Sequence, residues 1–289
     1  MQLFFDARDV AYARQHRSRH IDWLRDLGAI AIQQAPEDAE GFLFTGARSM
    51  EDYRHLVARH PRLRDRPEDR APLLRLDTVL DALADAGVDV PTPRTWRLAL
   101  DDPPPPDLRF PLFVRTASTS WKLGGDISRV RSWKQLCDEA DALRRATEWD
   151  AVILAREWLD LAPAGSSVYG PVPQEIRVWI VDGVPTAWSF HHMNVVREPL
   201  GFPPLPGDLR TLYSLAEQIG RAFRSRLVVA DFARLKSGGW VFIEAGPGSC
   251  AGTGHERVYK AVLRRLFDDM AALTSDPLGG TFPVGLMID

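Results

Sequence analysis

Cysteine is scarce in this chain: Cys137 and Cys250 are the two among 289 residues. That count excludes a disulfide framework and suits a reducing compartment. Long apolar runs are missing as well. None approaches the roughly 20 residues of a membrane span, so no membrane partner is expected. A basic excess is also lacking: 36 Lys and Arg stand against 39 Asp and Glu, for a net charge of -3 and a pI near 6.2. No global field therefore argues for nucleic acid. Arginines do cluster in "ARHPRLRDRPEDR" (58–70), but acids interleave them, and the stretch reads as a solvated surface segment. The opening "MQLFFDARDV" has no basic stretch leading into an apolar one, so no signal peptide is expected and the cytoplasm is the default location. There is no internal repeat and no convincing Ser/His/Asp or Cys/His nucleophile motif.

What is present is the balance of a soluble globular protein, 45% hydrophobic and 26% charged, long enough for a large core and two or three subdomains. The first 72 residues alternate strand candidates (Leu3–Asp6, Ala29–Gln33, Gly41–Thr45) with helices near Val10–Leu27 and Met50–His60, a small α/β unit. In "LLRLDTVLDALADAGVDVPTPRTW" (73–96), Leu76, Val79, Leu80 and Leu83 recur at helical spacing. Gly87 is the expected C-cap, and Pro91 and Pro93 enforce an extended exit. "DDPPPPD" (101–107) is a stiff loop. Residues 110–130 read as strand, polar loop, strand, and 132–148 as a helix with Ser132 as N-cap. Residues 151–161 read as a buried strand, and 173–192 as a hairpin turning at Asp182-Gly183. Residues 208–225 and 255–274 read as helices. The boundaries expected from this pattern are 1–72, 73–157 and 158–289.

The stretch "VVADFARLKSGGWVFIEAGPGS" (228–249) reads as a hairpin with an acid set into each apolar strand. A two-residue turn at Ser237-Gly238 would set Asp231 directly against Glu244. A turn at Gly238-Gly239 would offset them but keep them on one face, whereas a three-residue loop would put them on opposite faces. Two opposed carboxylates are unfavourable unless a proton or cation intervenes. A hard divalent cation held by oxygen ligands resolves the conflict, and two carboxylates on adjacent strands fit magnesium bound with substrate phosphates.

Phosphates need cationic partners. Arg115 ends the apolar strand "FPLFV", and "TASTS" (116–120), Lys122, Gly124 and Gly125 follow. Small residues let backbone N–H groups approach phosphate, and Arg115 supplies a charged fork. In "VILAREWLDL" the strand ends at Glu157, followed by Trp158 and Leu159, which can offer backbone groups and an apolar wall to an adenine edge. In "SFHHMNVVREP" (189–199), His191, His192, Asn194 and Arg197 either line a substrate pocket or, as the expected reading, are polar surface. "GPGSCAGTGHE" (246–256) is a loop whose glycines either wrap an anionic substrate or merely connect.

In this order the segments resemble the ATP-grasp superfamily, mostly carboxylate–amine and carboxylate–thiol ligases, over residues 73–256. The resemblance implies an α/β (α+β) ATP-grasp fold: a small N-terminal α/β domain, a nucleotide-lid subdomain, and a mixed or antiparallel core sheet flanked by helices. It implies ATP and Mg2+ as cofactors. Arg75 and Arg115 stand where the family usually has two phosphate-binding lysines. Glu157, Trp158 and Leu159 would hold adenine, Glu175 would meet the ribose, and Arg177 would sit near the phosphates or the acyl phosphate, sharing the catalytic role with Arg115. Lys122 would also contact nucleotide, and Asp231 and Glu244 would bind magnesium. The family commonly has an asparagine two residues after that glutamate. Gly246 stands here instead, which bears on whether two metals bind and at what rate the chain turns over.

The implied reaction transfers the γ-phosphoryl of ATP to a carboxylate and lets an amine displace phosphate, giving an amide and ADP. The implied substrates are small-molecule or peptide carboxylates and amines, and a homodimer is a candidate assembly. Residues 116–126 are the expected lid tip. Two other readings carry over: a nucleotide-binding protein of this fold with weakened catalysis, and an ATP-dependent small-molecule kinase.

Overall fold

The computed structural model describes residues 2–11, 20–46, 50–99, 103–118, 129–146, 152–167, 170–191, 208–251 and 256–267. Lys122 and most of the expected lid tip lie outside the described residues, as do His192, Asn194 and Arg197.

The N-terminal unit is built on a parallel sheet in the order β2-β1-β3, from β1 (Gln2–Phe5), β2 (Ile30–Ala31) and β3 (Gly41–Phe44), with helices α1 (His20–Asp26) and α2 (Met50–Arg59). The strand expected over 29–33 is shorter: after two residues the chain tightens into a 3-10 turn, Ile32–Gln34. A one-turn helix α3 (Pro67–Arg70) and a 3-10 turn then lead into α4 (Leu76–Asp85). Past α4, Gly87 sits at φ 65° and Val88 N–H donates to Leu83 O at 2.9 Å, the left-handed cap that stops the helix.

Most charged residues of the segment 58–70 are exposed, as their alternation suggests, but Asp65 and Arg70 are not. Leu63 bridges to Gly41 along the edge of β3, and Asp65 and Arg70 are each 1% exposed. The Arg70 guanidinium lies 4.4 Å from the Tyr53 ring centroid, 3.6 Å from Asp65, and donates to Ser249 Oγ at 2.6 Å. Asp65 also accepts from Ser225 Oγ at 3.1 Å. These two charges neutralise each other inside, where burial is tolerated only for paired groups. Through Ser225 and Ser249 they tie the N-terminal unit to the rest of the chain.

A second sheet, antiparallel and ordered β4-β7-β5-β6, contains β4 (Thr95–Leu98), β5 (Leu112–Thr116), β6 (Arg129–Val130) and β7 (Ile153–Glu157). Its helix is α5 (Trp133–Ala146). Ser132 Oγ accepts from Gln135 N–H at 3.2 Å, so the expected N-cap forms. One face of this sheet (Leu112, Val114, Ile153, Ala155) packs on Leu136, Ala140 and Leu143 of α5. The other carries Arg115, Leu154 and Arg156. A small hairpin, β8 (Pro163–Ser167) with β9 (Gly170–Pro173), follows. Its glycines and prolines carry no alternating apolar pattern, so nothing marked it in the sequence.

The core sheet is antiparallel, β11-β10-β12-β13, from β10 (Glu175–Val181), β11 (Val184–Phe190), β12 (Leu227–Arg234) and β13 (Trp240–Pro247). Asp182 and Gly183 turn β10 into β11 with φ of 50° and 77°, the two left-handed residues a tight hairpin needs. One sheet face packs Val178, Ile180, Val228, Ala230 and Phe232 against α4 and α6 (Asp208–Arg221). The other packs Trp179, Val181, Ala187, Leu227 and Val229 against α7 (Glu256–Leu266), which in turn packs on the N-terminal sheet. Among the described residues, no helix is long and apolar enough to cross a membrane.

Candidate active site

Side chains on a strand alternate between faces, so the face that holds Trp179 and Val229 under α7 also carries Arg177, Glu175 and Asp231 farther along. The register sets them in rows. Ser189 pairs with Arg177, Arg177 with Asp231, and Asp231 with Glu244, one polar residue from each of the four strands. The polar site thus begins where the cover of α7 ends.

Asp231 does face Glu244, but not by the route the turn predicts. Leu235 N–H donates to Gly239 O at 3.1 Å, closing a three-residue loop over Lys236–Gly238, with Gly238 and Gly239 at φ 94° and 82°. That loop sets Arg234 against Trp240, Ala233 against Val241 and Phe232 against Phe242. Continued unchanged, this register would oppose Asp231 to Ile243 and turn Glu244 to the other face. A β-bulge between Asp231 and Phe232 consumes Ile243 and restores the acid pair. The Ile243 carbonyl accepts from Arg156 Nη1 at 2.7 Å, and Phe242 N–H donates to Pro91 O at 2.7 Å, so both sides of the bulge are held.

Each acid carries an arginine. Arg177 forks onto Asp231 with Nε–Oδ1 at 2.8 Å and Nη2–Oδ2 at 2.7 Å. Arg115, from the other sheet, donates from Nη1 to Glu244 Oε2 at 2.6 Å. All four are largely buried. Burial pushes the Glu244 carboxyl up, but the charge and hydrogen bond of Arg115 outweigh it and hold the acid down at about 2. Burial also opposes the charge of Arg177, and Asp231 more than reverses this, leaving Arg177 raised. Arg156 is pushed down to about 9 by burial and by neighbouring Arg115, so it remains cationic at neutral pH.

His191 joins this group, contrary to the expectation of polar surface. It is 6% exposed; its N–H donates to Glu175 O at 3.1 Å, which extends the ladder by one residue and turns the ring inward. Nε2 lies 3.5 Å from Asp231 Oδ2, and Nδ1 3.7 Å from Glu175 Oε2. One ligand atom each from His191, Asp231 and Glu244 fall within 4.8 Å of one another. Two carboxylates and an imidazole at that spacing fit a divalent cation.

The remaining candidates are placed less centrally. Arg75, just before α4, forks onto Asp77 at 3.0 and 2.9 Å. Glu157 ends β7 with its side chain exposed, and its N–H donates to Arg94 O at 2.8 Å. Trp158 is half-buried, with the Arg129 guanidinium 4.8 Å from its ring, and Leu159 is half-buried beside it. Glu175 is buried next to His191. Burial pushes the Cys250 thiol up, and the thiol donates to Pro247 O at 3.2 Å. Sequence reasoning gave Arg156 no role. Its signal was available: a cation inside the apolar run "VILARE", the same anomaly that marks Asp231.

Known proteins share this fold. N5-carboxyaminoimidazole synthase from Aspergillus clavatus, solved with ADP and 5-aminoimidazole ribonucleotide, superposes with a TM-score of 0.61 at 12% identity, over 92% of this chain and 76% of that one. A RimK domain ATP-grasp protein from Sphaerobacter thermophilus gives 0.53 at 13% identity, over 86% and 92%. The D-alanine-D-alanine ligase from Coxiella burnetii gives 0.54 at 14%, over 78% and 66%. At these identities the likeness is one of fold. In sequence, a UPF0301 protein from Streptomyces avermitilis is 26% identical over 154 residues, 47% of this chain and 74% of that protein. A family model described as an ATP-grasp domain matches residues 88–266, well over half of the sequence and both sheets that build the site, and the chain belongs to that ATP-grasp family.

Proposed function

We propose that this protein is an ATP-dependent, ADP-forming ligase that activates a carboxylate as an acyl phosphate and joins it to an amine. The observation that carries this reading is the Asp231–Glu244 pair, faced by Arg177 and Arg115 drawn from separate sheets. Asp231 and Glu244 would hold Mg2+, which when bound neutralises charge on the phosphates of ATP. Arg115 and Arg177 rest on carboxylates. Their guanidinium forks match phosphoryl oxygens equally well, so both can bind and orient the γ-phosphoryl group. Arg156 adds a buried positive charge close by and keeps Glu244 in place through the bulge.

In the reaction the substrate carboxylate attacks the γ-phosphorus and ADP leaves. The amine then attacks the acyl carbon, loses a proton and expels phosphate. No protein nucleophile is needed. The substrates we infer are small-molecule or peptide carboxylates and amines. The test is a coupled ADP-release screen over amino acids, small carboxylic acids and peptides, followed by a run with 18O-labelled carboxylate. One label should appear in the released phosphate, and the product should be an amide. A stable phosphorylated product without an amide would replace this reading with a kinase. Gly246 favours a second reading, nucleotide binding with weak turnover. Stoichiometric ATP binding with no ADP across the panel would select it.

A further inference from the structure

We propose that His191 is a ligand of the nucleotide-associated metal, so that the site is a His–Asp–Glu set rather than one of oxygen alone. The inference rests on the nucleotide-binding reading above and concerns how this chain fills the position that Gly246 leaves without a donor atom.

Two observations support it. First, neighbouring ligands of one cation at about 2.1–2.2 Å stand about 3 Å apart, and opposite ones about 4.3 Å. His191 Nε2 is 3.5 Å from Asp231 Oδ2, and the three ligand atoms lie within 4.8 Å, so a modest closure seats one ion among them. Asp231 can serve both partners, because Arg177 takes one site on each oxygen and a carboxylate has about four. Second, the other ring nitrogen, Nδ1, faces the Glu175 carboxylate at 3.7 Å. A metal-bound imidazole commonly directs its remaining N–H at a carboxylate, which orients the ring and leaves the far nitrogen's lone pair for the ion. Glu175, His191 and Asp231 stand in that order.

Gly246 gives the complementary half. A Cβ built there would meet nothing closer than Leu73 O at 3.9 Å and Val229 Cγ2 at 4.0 Å, and its φ is not in the left-handed region. Neither backbone nor packing demands glycine. The sheet order β11-β10-β12-β13 puts His191 on the flank of Asp231 opposite to β13. The third ligand is therefore supplied on the same face, from the flank of Asp231 away from β13. An imidazole in the donor set raises affinity for Mn2+ relative to Mg2+, since Mg2+ favours oxygen.

The test uses the full chain with Mn2+ and a methylene-bridged ATP analogue, read by pulsed electron paramagnetic resonance with protein carrying 14N- or 15N-histidine. The wild type should show an imidazole nitrogen coupling that follows the histidine label. The coupling should vanish in His191→Gln and persist in His192→Gln. Titration should show Mn2+ affinity in the nucleotide complex falling about tenfold or more in His191→Gln, with a smaller loss for Mg2+. Nucleotide-dependent Mn2+ binding with no histidine coupling, a coupling that survives in His191→Gln, or equal losses for the two ions would overturn the role of His191 and leave the ligase reading standing. Absence of any nucleotide-dependent Mn2+ binding would overturn both.

Discussion

Two halves of one sheet face divide the labour in this protein. On β10, β11 and β12, Trp179, Val181, Ala187, Leu227 and Val229 lie beneath α7, while Arg177, Glu175, Ser189 and Asp231 continue the same face beyond it. The same strands run through both halves; what changes is the residue type and the covering element. The apolar half anchors the N-terminal unit and α7. The polar half is braced by charge against the Arg115–Arg156 face of the second sheet. Both halves are largely buried, and the site acids are paired with arginines rather than with water.

That comparison is broken most severely from its polar half. Asp231→Asn should abolish metal-dependent nucleotide turnover, a loss of about a thousandfold or more in kcat, comparable to removing a principal charge-stabilising group. It should also destabilise the protein, by on the order of 3 kcal/mol, because it strips the buried Arg177 of its counter-charge. Steady-state ADP release and urea denaturation would measure the two. Turnover within a few-fold of wild type would remove Asp231 from the metal site. Next is Trp179→Ala in the apolar half. It should cost about 3–5 kcal/mol of stability, since Trp179 is fully buried against Tyr259. Its folded fraction should still bind ATP. A stability loss below about 1 kcal/mol would show that the α7 half is not a packed core.

The third prediction tests the bracing between the sheets. Arg156→Met keeps length but loses the donor to the Ile243 carbonyl, which should cost about 1–3 kcal/mol. It should also let the bulge relax and carry Glu244 off the face, lowering kcat by about 10- to 100-fold with a smaller change in ATP affinity. Unchanged kcat together with unchanged stability would mean that the bulge holds without Arg156.

Much of this was readable from residue order, and the exceptions share a cause. The acids of 228–249 stood out because charge inside an apolar strand is expensive, and their opposition was anticipated. The path to it was not: an odd loop and a bulge each shift the register by one, and only their combination restores the pair. Local sequence does not encode such a cancellation, since the bulge is held by Arg156 and Pro91 from elsewhere in the chain. Asp65 and Arg70 misled in the same way, because interleaved charges look alike whether water or each other neutralises them. His191 at a strand end had no local signal either. Its burial follows from one further rung on β10 and from the Asp231 carboxylate, which comes from a strand far along the chain.

The smallest effect sharpens the comparison within a single strand end. Gly246 and Gly248 lie two residues apart in "EAGPGS", and in sequence both look like glycines of a permissive loop. A Cβ at Gly248 would lie 2.5 Å from Leu227 Cγ, in the apolar half, and Gly248→Ala should cost about 1–3 kcal/mol through overpacking. A Cβ at Gly246 has its nearest neighbour at 3.9 Å, so Gly246→Ala should change stability by less than about 0.5 kcal/mol. Thermal denaturation of the two variants side by side decides it. A large loss at Gly246 would mean that glycine there serves the backbone after all. Near-neutrality would place its significance in what it leaves out of the site, a side chain with a donor atom.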